Sequence, residues 1–243
     1  MSPPVFLVDA LPAGAEAVLD GPEGRHAAAV RRLRRGEPLV LSDGAGGLAE
    51  CTVTDVGRDA LRLAVERRVR VPAPAPRLVL VQALAKGDRG ELAVELATEV
   101  GVDAIVPWSA SRSVTRWTGQ RGVRSLDRWR STARESAKQS RRAWLPEVTG
   151  PADTAAVALR IAAAAGALVL HEGAAEPLAT AALPADGDLL VVVGPEGGVA
   201  DDELAAFGAA GALAVRLGPT VLRTSTAGAA ALAVLAVRTG RWA

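Results

Sequence analysis

Apolar positions along this 243-residue chain follow two different patterns, and the change falls near residue 70. Before that point the runs are short or alternating, as half-buried strands require: Val5 to Val8, Pro38 to Ser42, Leu48 to Val56 and Ala60 to Arg70. Turn signals at Asp43-Gly44 and Val56-Gly57-Arg58-Asp59 separate them. Between the first two runs, His26 to Arg35 reads as a basic helix with a narrow apolar strip of Ala29, Val30 and Leu33. Residues 1–70 are therefore expected to form a small β-rich domain. The alternating prolines of 71–76, VPAPAP, continue neither a ladder nor a helix and read as a linker.

From residue 77 onward the runs are branched, apolar and interleaved with helical periods. Strands are expected at Arg77 to Ala83, Asp103 to Trp108, Ala167 to His171, Leu189 to Val193 and Ala212 to Leu217. Helices are expected from about residue 90, where Leu92, Leu96 and Val100 share a helical spacing, and over Leu126 to Arg141, Asp201 to Ala210 and Thr226 to Arg238. Such alternation predicts an α/β domain over 77–243, with a largely parallel sheet covered on both faces.

Composition narrows the function classes. Cys51 is the only cysteine, so no intramolecular disulfide can form, and His26 and His171 are too far apart in sequence to suggest a metal cluster. The longest apolar runs are too short and alanine-rich to span a bilayer, and no basic stretch precedes the first one; a cytoplasmic location is expected. The formal charge of +1 hides an asymmetry, because residues 112–142 hold ten basic side chains against Asp127 and Glu135. Nearly all are arginine, whose planar fork pairs with phosphate, so nucleic acid is the partner to test against a merely solvated helix face. Trp108, Trp117, Trp129 and Trp144 offer candidate stacking faces for bases, or core.

Two glycine loops carry the candidate chemistry. Gly194-Pro195-Glu196-Gly197-Gly198 follows an apolar strand and permits a tight turn with backbone N–H groups close to a ligand. Its spacing is neither GxGxxG nor a phosphate-binding P-loop, which leaves a dinucleotide or triphosphate site unsupported. The second loop, Leu217 to Thr226, is rich in hydroxyls that can cap the last helix. Capping does not explain Arg223, which lies between an apolar pair and a hydroxyl run.

KGDR at 86–89, ATEVGVDAIVPW at 97–108, SRSV at 111–114, ARESAKQSRR at 133–142, VGPEGG at 193–198 and LGPTVLRTSTA at 217–227 resemble, in order and spacing, the RsmE family. These SPOUT-class enzymes methylate N3 of a uridine in 16S ribosomal RNA. The resemblance covers essentially the whole chain and implies a PUA-like β-barrel followed by an α/β domain with a C-terminal trefoil knot. It also implies a homodimer and S-adenosylmethionine as cofactor.

Carried over by motif, the cofactor pocket comprises Leu170, His171, Glu172, Gly194, Pro195, Glu196, Gly197, Gly198, Leu217, Gly218, Leu222, Arg223, Thr224, Ser225 and Ala227. Arg223 is the expected catalytic residue, stabilising charge that develops on the uracil oxygens. Glu196 and Glu172 are the carboxylates that can accept the N3 proton or brace a loop. Arg25, Arg32, Lys86, Arg89, Arg112, Arg134, Lys138, Gln139 and Arg142 are expected to meet RNA. The chain departs from the family at Leu96, Ser111, Thr220 and Ser225, where lysine, glutamate, arginine and glutamate are frequent. Two other readings stay open: a SPOUT enzyme acting on another RNA position such as a ribose 2'-hydroxyl, and a non-catalytic RNA-binding assembly factor.

Overall fold

The computed structural model describes residues 3–242; Met1, Ser2 and Ala243, included in the expected domain limits, lie outside the described residues. The chain divides into two units, one of residues 1–73 and 137–145, the other of residues 74–136 and 146–243. The division falls inside the proline-rich stretch, but the return of 137–145 to the first unit has no counterpart in the expected limits. Backbone pairing accounts for it. Gly46 donates to the Ala143 carbonyl, Leu145 donates to that of Gly44, and the Trp144 indole N–H reaches the Val71 carbonyl.

The first unit is a five-stranded sheet in the order β1-β3-β4-β5-β2, formed by β1 (Val5–Leu7), β2 (Glu16–Leu19), β3 (Pro38–Ser42), β4 (Gly47–Val56) and β5 (Leu61–Arg70). Strict alternation in β4 sends Ala49, Cys51 and Val53 inward onto Phe6, Leu39, Leu41, Leu61 and Leu63. Burial pushes the Cys51 thiol up to about 11, which makes it core rather than nucleophile. The basic helix expected over 26–35 is shorter: α1 (Gly21–Arg25) runs into one π-helical turn at His26–Val30, and Arg32 adopts a left-handed backbone. That reversal returns Leu33 to the sheet's core. β2 was not expected, because its four residues follow a glycine-alanine stretch without a clear apolar alternation.

The second unit contains a six-stranded parallel sheet, ordered β11-β9-β10-β6-β7-β8. Its strands are β6 (Arg77–Ala83), β7 (Ala104–Trp108), β8 (Glu147–Val148), β9 (Gly166–Leu170), β10 (Asp188–Val193) and β11 (Leu213–Val215). Side chains of a strand alternate between faces, so Leu78, Leu80, Leu189, Val191 and Val193 join one core while Val79, Val81, Leu190 and Val192 join another. The first core is closed by α2 (Arg89–Glu99), α3 (Gly119–Gln139) and α6 (Thr224–Arg238), the second by α4 (Thr154–Ala163) and α5 (Asp201–Ala209). Both faces are covered, as the unbroken apolar runs require.

Two helices differ from expectation, and three tryptophans take one of the roles left open for them. On α2 the buried face is Gly90, Ala93, Val94 and Ala97, with Leu92 exposed, because small residues allow the helix close to the sheet. Trp108 and Trp129 are fully buried, and Trp117 packs edge-on against Trp129, so these rings are core and not base-stacking platforms. Helix α4 was not expected, although Asp153 caps it and Val157 and Ile161 lie one turn apart on its buried side.

The C-terminal path is unusual. From β10 the chain crosses one face as α5 to reach the edge strand β11, then returns over the opposite face as α6, which packs on α2, β10 and β6. The connection between β9 and β10 lies on that same face, where Leu178 and Ala181 enter the core. Arg238 of α6 donates to both of their carbonyls. Two connections thus pack against each other on one face of the sheet. At its far end Arg241 forms a two-pronged ion pair with Asp103, whose carboxylate also accepts from the Leu78 N–H.

The second core supplies a stability test. Phe207 of α5 is fully buried and meets Trp108 edge-to-face with ring centroids 5.2 Å apart. Phe207→Ala is expected to cost about 3–5 kcal/mol in urea unfolding. A loss under about 1 kcal/mol would contradict this packing.

Candidate functional site

Parallel strands place their carboxyl ends at one edge of the sheet, where loops can converge on a ligand. Here the ends of β9, β10 and β11 open into an irregular cavity of about 680 Å³. Leu170, His171 and Glu172 line it from β9, and Gly194 to Gly198 from β10. The chain after β11 contributes Leu217, Gly218, Leu222, Arg223, Thr224 and Ala227. Ser225 does not line the cavity; it is buried in the first turn of α6. Arg89, Arg112, Val193, Val199, Asp201, Arg216, Thr220 and Val221 complete the wall. The lining thus mixes four guanidinium groups with the carboxylates of Glu172, Glu196 and Asp201.

One buried joint connects the walls. Thr224, the first residue of α6, donates its hydroxyl to the Gly194 carbonyl at 2.7 Å and accepts from the Gln82 amide at 3.0 Å. Gln82 lies in β6 with no exposed surface, so its side chain spans from the sheet centre to the start of α6. Gly228, one turn further along α6, permits the approach: an added methyl would lie 3.1 Å from Leu80. Sequence reasoning missed Gln82. Its only signal is a polar residue within the apolar run of β6.

The GPEGG loop is braced from outside. Glu196 accepts from the Lys86 N–H and from the Arg89 guanidinium, each at 3.2 Å. Burial pushes its carboxyl up, but N–H bonds from its own backbone and Lys86, together with Arg89, outweigh that and hold it below the ordinary value of 4.5. Glu196 is therefore occupied as a brace. Arg112 spans the loop's second half, donating to the carbonyls of Gly197 and Val199. Gly198 sits at φ +73°, a left-handed conformation suited to glycine.

Of the cations expected at RNA, Arg89 and Arg112 are thus tied into the cavity wall. Lys138, also expected there, is instead held 2.8 Å from Glu23 with its side chain only 8 % exposed. An ammonium so enclosed cannot serve as an open phosphate contact. Arg25, Arg32, Lys86, Arg134 and Gln139 are exposed, Arg142 is half-buried, and Arg25 has a distant partner in Asp59. No group of histidine, cysteine, aspartate and glutamate able to hold a metal occurs among the described residues. No helix among them is long and apolar enough to cross a membrane.

Comparison with known proteins fits this architecture. A family model described as an RNA methyltransferase domain matches residues 72–236, and one described as an RNA methyltransferase PUA domain matches residues 19–66. The chain is 54% identical over 243 residues to the ribosomal RNA small subunit methyltransferase E of Mycobacterium tuberculosis, covering 98% of this chain and 93% of that protein. It is 27% identical to the enzyme of that name from Bacillus subtilis, over 91% of this chain and 90% of the relative. Among solved structures, ribosomal RNA small subunit methyltransferase E from Neisseria gonorrhoeae, bound to S-adenosyl methionine, superposes with a TM-score of 0.83. It is 25% identical, and 98% of each chain is covered. A Legionella pneumophila protein in complex with the cofactor SAM gives a TM-score of 0.85 at 26% identity, again over 98% of each chain.

The family models, on this fold, make the chain an RNA methyltransferase with an N-terminal PUA domain. Within that class, the chain belongs to the ribosomal RNA small subunit methyltransferase E family.

The Glu196 brace has a defined pH signature. Its carboxyl is depressed in the folded protein, so its stabilising contribution is complete above the ordinary 4.5 and is lost as pH falls through the lower folded value. The stability difference between wild type and Glu196→Gln is expected to be under about 1 kcal/mol, constant near neutral pH, and to vanish in acid below that value. Urea unfolding across pH measures it. A difference that grows on acidification would contradict the brace.

Proposed function

We propose that the chain methylates N3 of a uridine in 16S ribosomal RNA of the small subunit, using S-adenosylmethionine held in the cavity at the ends of β9, β10 and β11. The observation that carries this reading is the convergence of both glycine loops on that one cavity. Its size lies in the range of small-molecule sites, about 300–1,000 Å³. Its residues suit the cofactor. An added methyl at Gly218 would meet nothing within 4 Å, so the missing side chain leaves room for a ligand. Cavity carboxylates face guanidinium groups, which matches a molecule bearing an ammonium, a sulfonium and a carboxylate.

Glycines 194, 197, 198 and 218, with Leu170, Leu217 and Leu222, would hold the cofactor against backbone groups and apolar side chains. When bound, S-adenosylmethionine supplies a methyl group already activated on a sulfonium. The chain's own task is then to align an unpaired uracil and manage its N3 proton. Arg223 is exposed on the cavity wall at the N-cap of α6, where the helix dipole adds to its positive charge. From there it stabilises the negative charge that spreads onto the uracil oxygens as N3 loses its proton. With Glu196 committed to the loop, Glu172 and Asp201 are the cavity carboxylates open to receive that proton.

RNA binding belongs to exposed Arg25, Arg32, Lys86, Arg134 and Gln139, with half-buried Arg142 close to the last two in sequence. A homodimer and a cytoplasmic location complete the proposal. Val221 before α6 and Val237 on it are 79% and 63% exposed, apolar surface that a second copy would cover.

Nucleoside mass spectrometry of small-subunit rRNA from cells lacking the protein tests the reading. Loss of 3-methyluridine, restored by wild type and not by Arg223→Ala, is expected, with kcat/KM of the variant reduced about 10²–10³-fold. Persistence of 3-methyluridine with loss of a ribose methylation would move the substrate to a 2'-hydroxyl. No change in any methylated nucleoside would favour a non-catalytic binder.

A further inference from the structure

We infer that Glu203 is a positioning residue for the GPEGG loop, acting through the segment that carries Arg112; the inference rests on the cofactor reading above. In sequence, Glu203 looks like one of three acidic residues complementing the start of α5. The structure separates it from the other two. Asp201 and Asp202 are exposed, whereas Glu203 is 2% exposed. A buried carboxylate is costly unless its oxygens are satisfied, and here both are.

Only one of its contacts is local to the helix. Oε2 accepts from the Ala200 N–H at 3.2 Å, closing the first turn of α5 directly after the glycine loop. Oε1 leaves the helix altogether. It accepts from the Ser111 N–H at 2.8 Å and from the Thr154 hydroxyl at 2.8 Å. Thr154, at the start of α4, in turn accepts from the Trp108 indole N–H at 3.3 Å. One carboxylate thereby joins the end of β7, the loop after it, the start of α4 and the start of α5.

The consequence for the cavity runs through the neighbour of Ser111. Arg112 donates to the Gly197 and Val199 carbonyls, and Gly197 packs closely enough that an added methyl would lie 3.2 Å from the Arg112 Cβ. Fixing the Ser111 backbone fixes the root of that guanidinium. Glu203 thus holds the glycine loop along its length through Arg112, while its bond to Ala200 closes the first turn of α5 beyond the loop. Such a loop needs that clamp, since glycines themselves restrict backbone rotation little. The geometry makes Glu203 a support for cofactor affinity, and it touches no reacting atom.

Three single variants and one double variant test this with cofactor binding and amide exchange as readouts. Isothermal titration with S-adenosylmethionine is expected to show about tenfold weaker binding for Glu203→Ala and for Arg112→Ala. The double variant should bind no more weakly than Arg112→Ala, since both act through one contact. Glu203→Gln keeps an acceptor for Ser111 and Thr154 and should bind nearly as wild type, although losing the Ala200 bond lowers its melting temperature. Hydrogen exchange without cofactor should quicken across 194–199 in both alanine variants, which tests the clamp even if wild type fails to bind the cofactor and the functional reading falls. If Glu203→Ala does not fold, Arg112→Ala decides by the exchange readout alone. Unchanged exchange in 194–199, or additive losses in the double variant, would overturn the inference and leave Glu203 a helix cap.

Discussion

The second unit depends on one buried polar joint, Gln82 to Thr224 to Gly194. Its parts come from a central strand, the first turn of the last helix and the end of the neighbouring strand. Hydrogen bonds of this kind contribute little net free energy in the open, but losing the Thr224 hydroxyl would take a partner from the fully buried Gln82 amide. The joint thus does more to specify where α6 begins than to stabilise the fold in bulk. Apolar packing of α6 on α2, β6 and β10 would tolerate sliding; the fixed hydroxyl does not.

That position matters because the loop before α6 and the loop after β10 form facing walls of the cavity. Thr224 pins one to the other at the Gly194 carbonyl. From outside, Glu196, Arg89 and Arg112 hold the same glycine loop with charges and carbonyl contacts. Small residues then face the space that remains. The site is built largely from backbone held in place by the charged side chains around it, which accounts for glycine and proline where side-chain chemistry might be sought.

Much of this was legible before any coordinates. The apolar runs at 78–81 and 189–193 announced strands buried on both faces, and their alternate residues do divide between two cores. The two glycine motifs marked the cavity, and of the residues assigned to it by resemblance only Ser225 does not line it. What escaped was long-range or inverted in sense. Gln82, Glu203 and Lys138 are polar residues whose meaning lies in partners 142, 92 and 115 positions away. Helix α2 buries its alanines and exposes Leu92, the reverse of what hydrophobicity alone suggests, because proximity to the sheet favours small side chains. The packing of α6 against the β9–β10 connection has no periodic signature at all.

The central claim is that the cavity between the two glycine loops is the cofactor site, and Gly218 tests it most directly. A Cβ added there meets no atom within 4 Å beyond its chain neighbours, and Gly218 lines the cavity without taking part in the buried joint. Isothermal titration of S-adenosylmethionine into wild type and Gly218→Val, with melting temperatures measured alongside, is the decisive comparison. Wild type is expected to bind, and the variant to melt at the same temperature while losing at least about tenfold in affinity. Equal affinity in the two proteins would place the cofactor elsewhere.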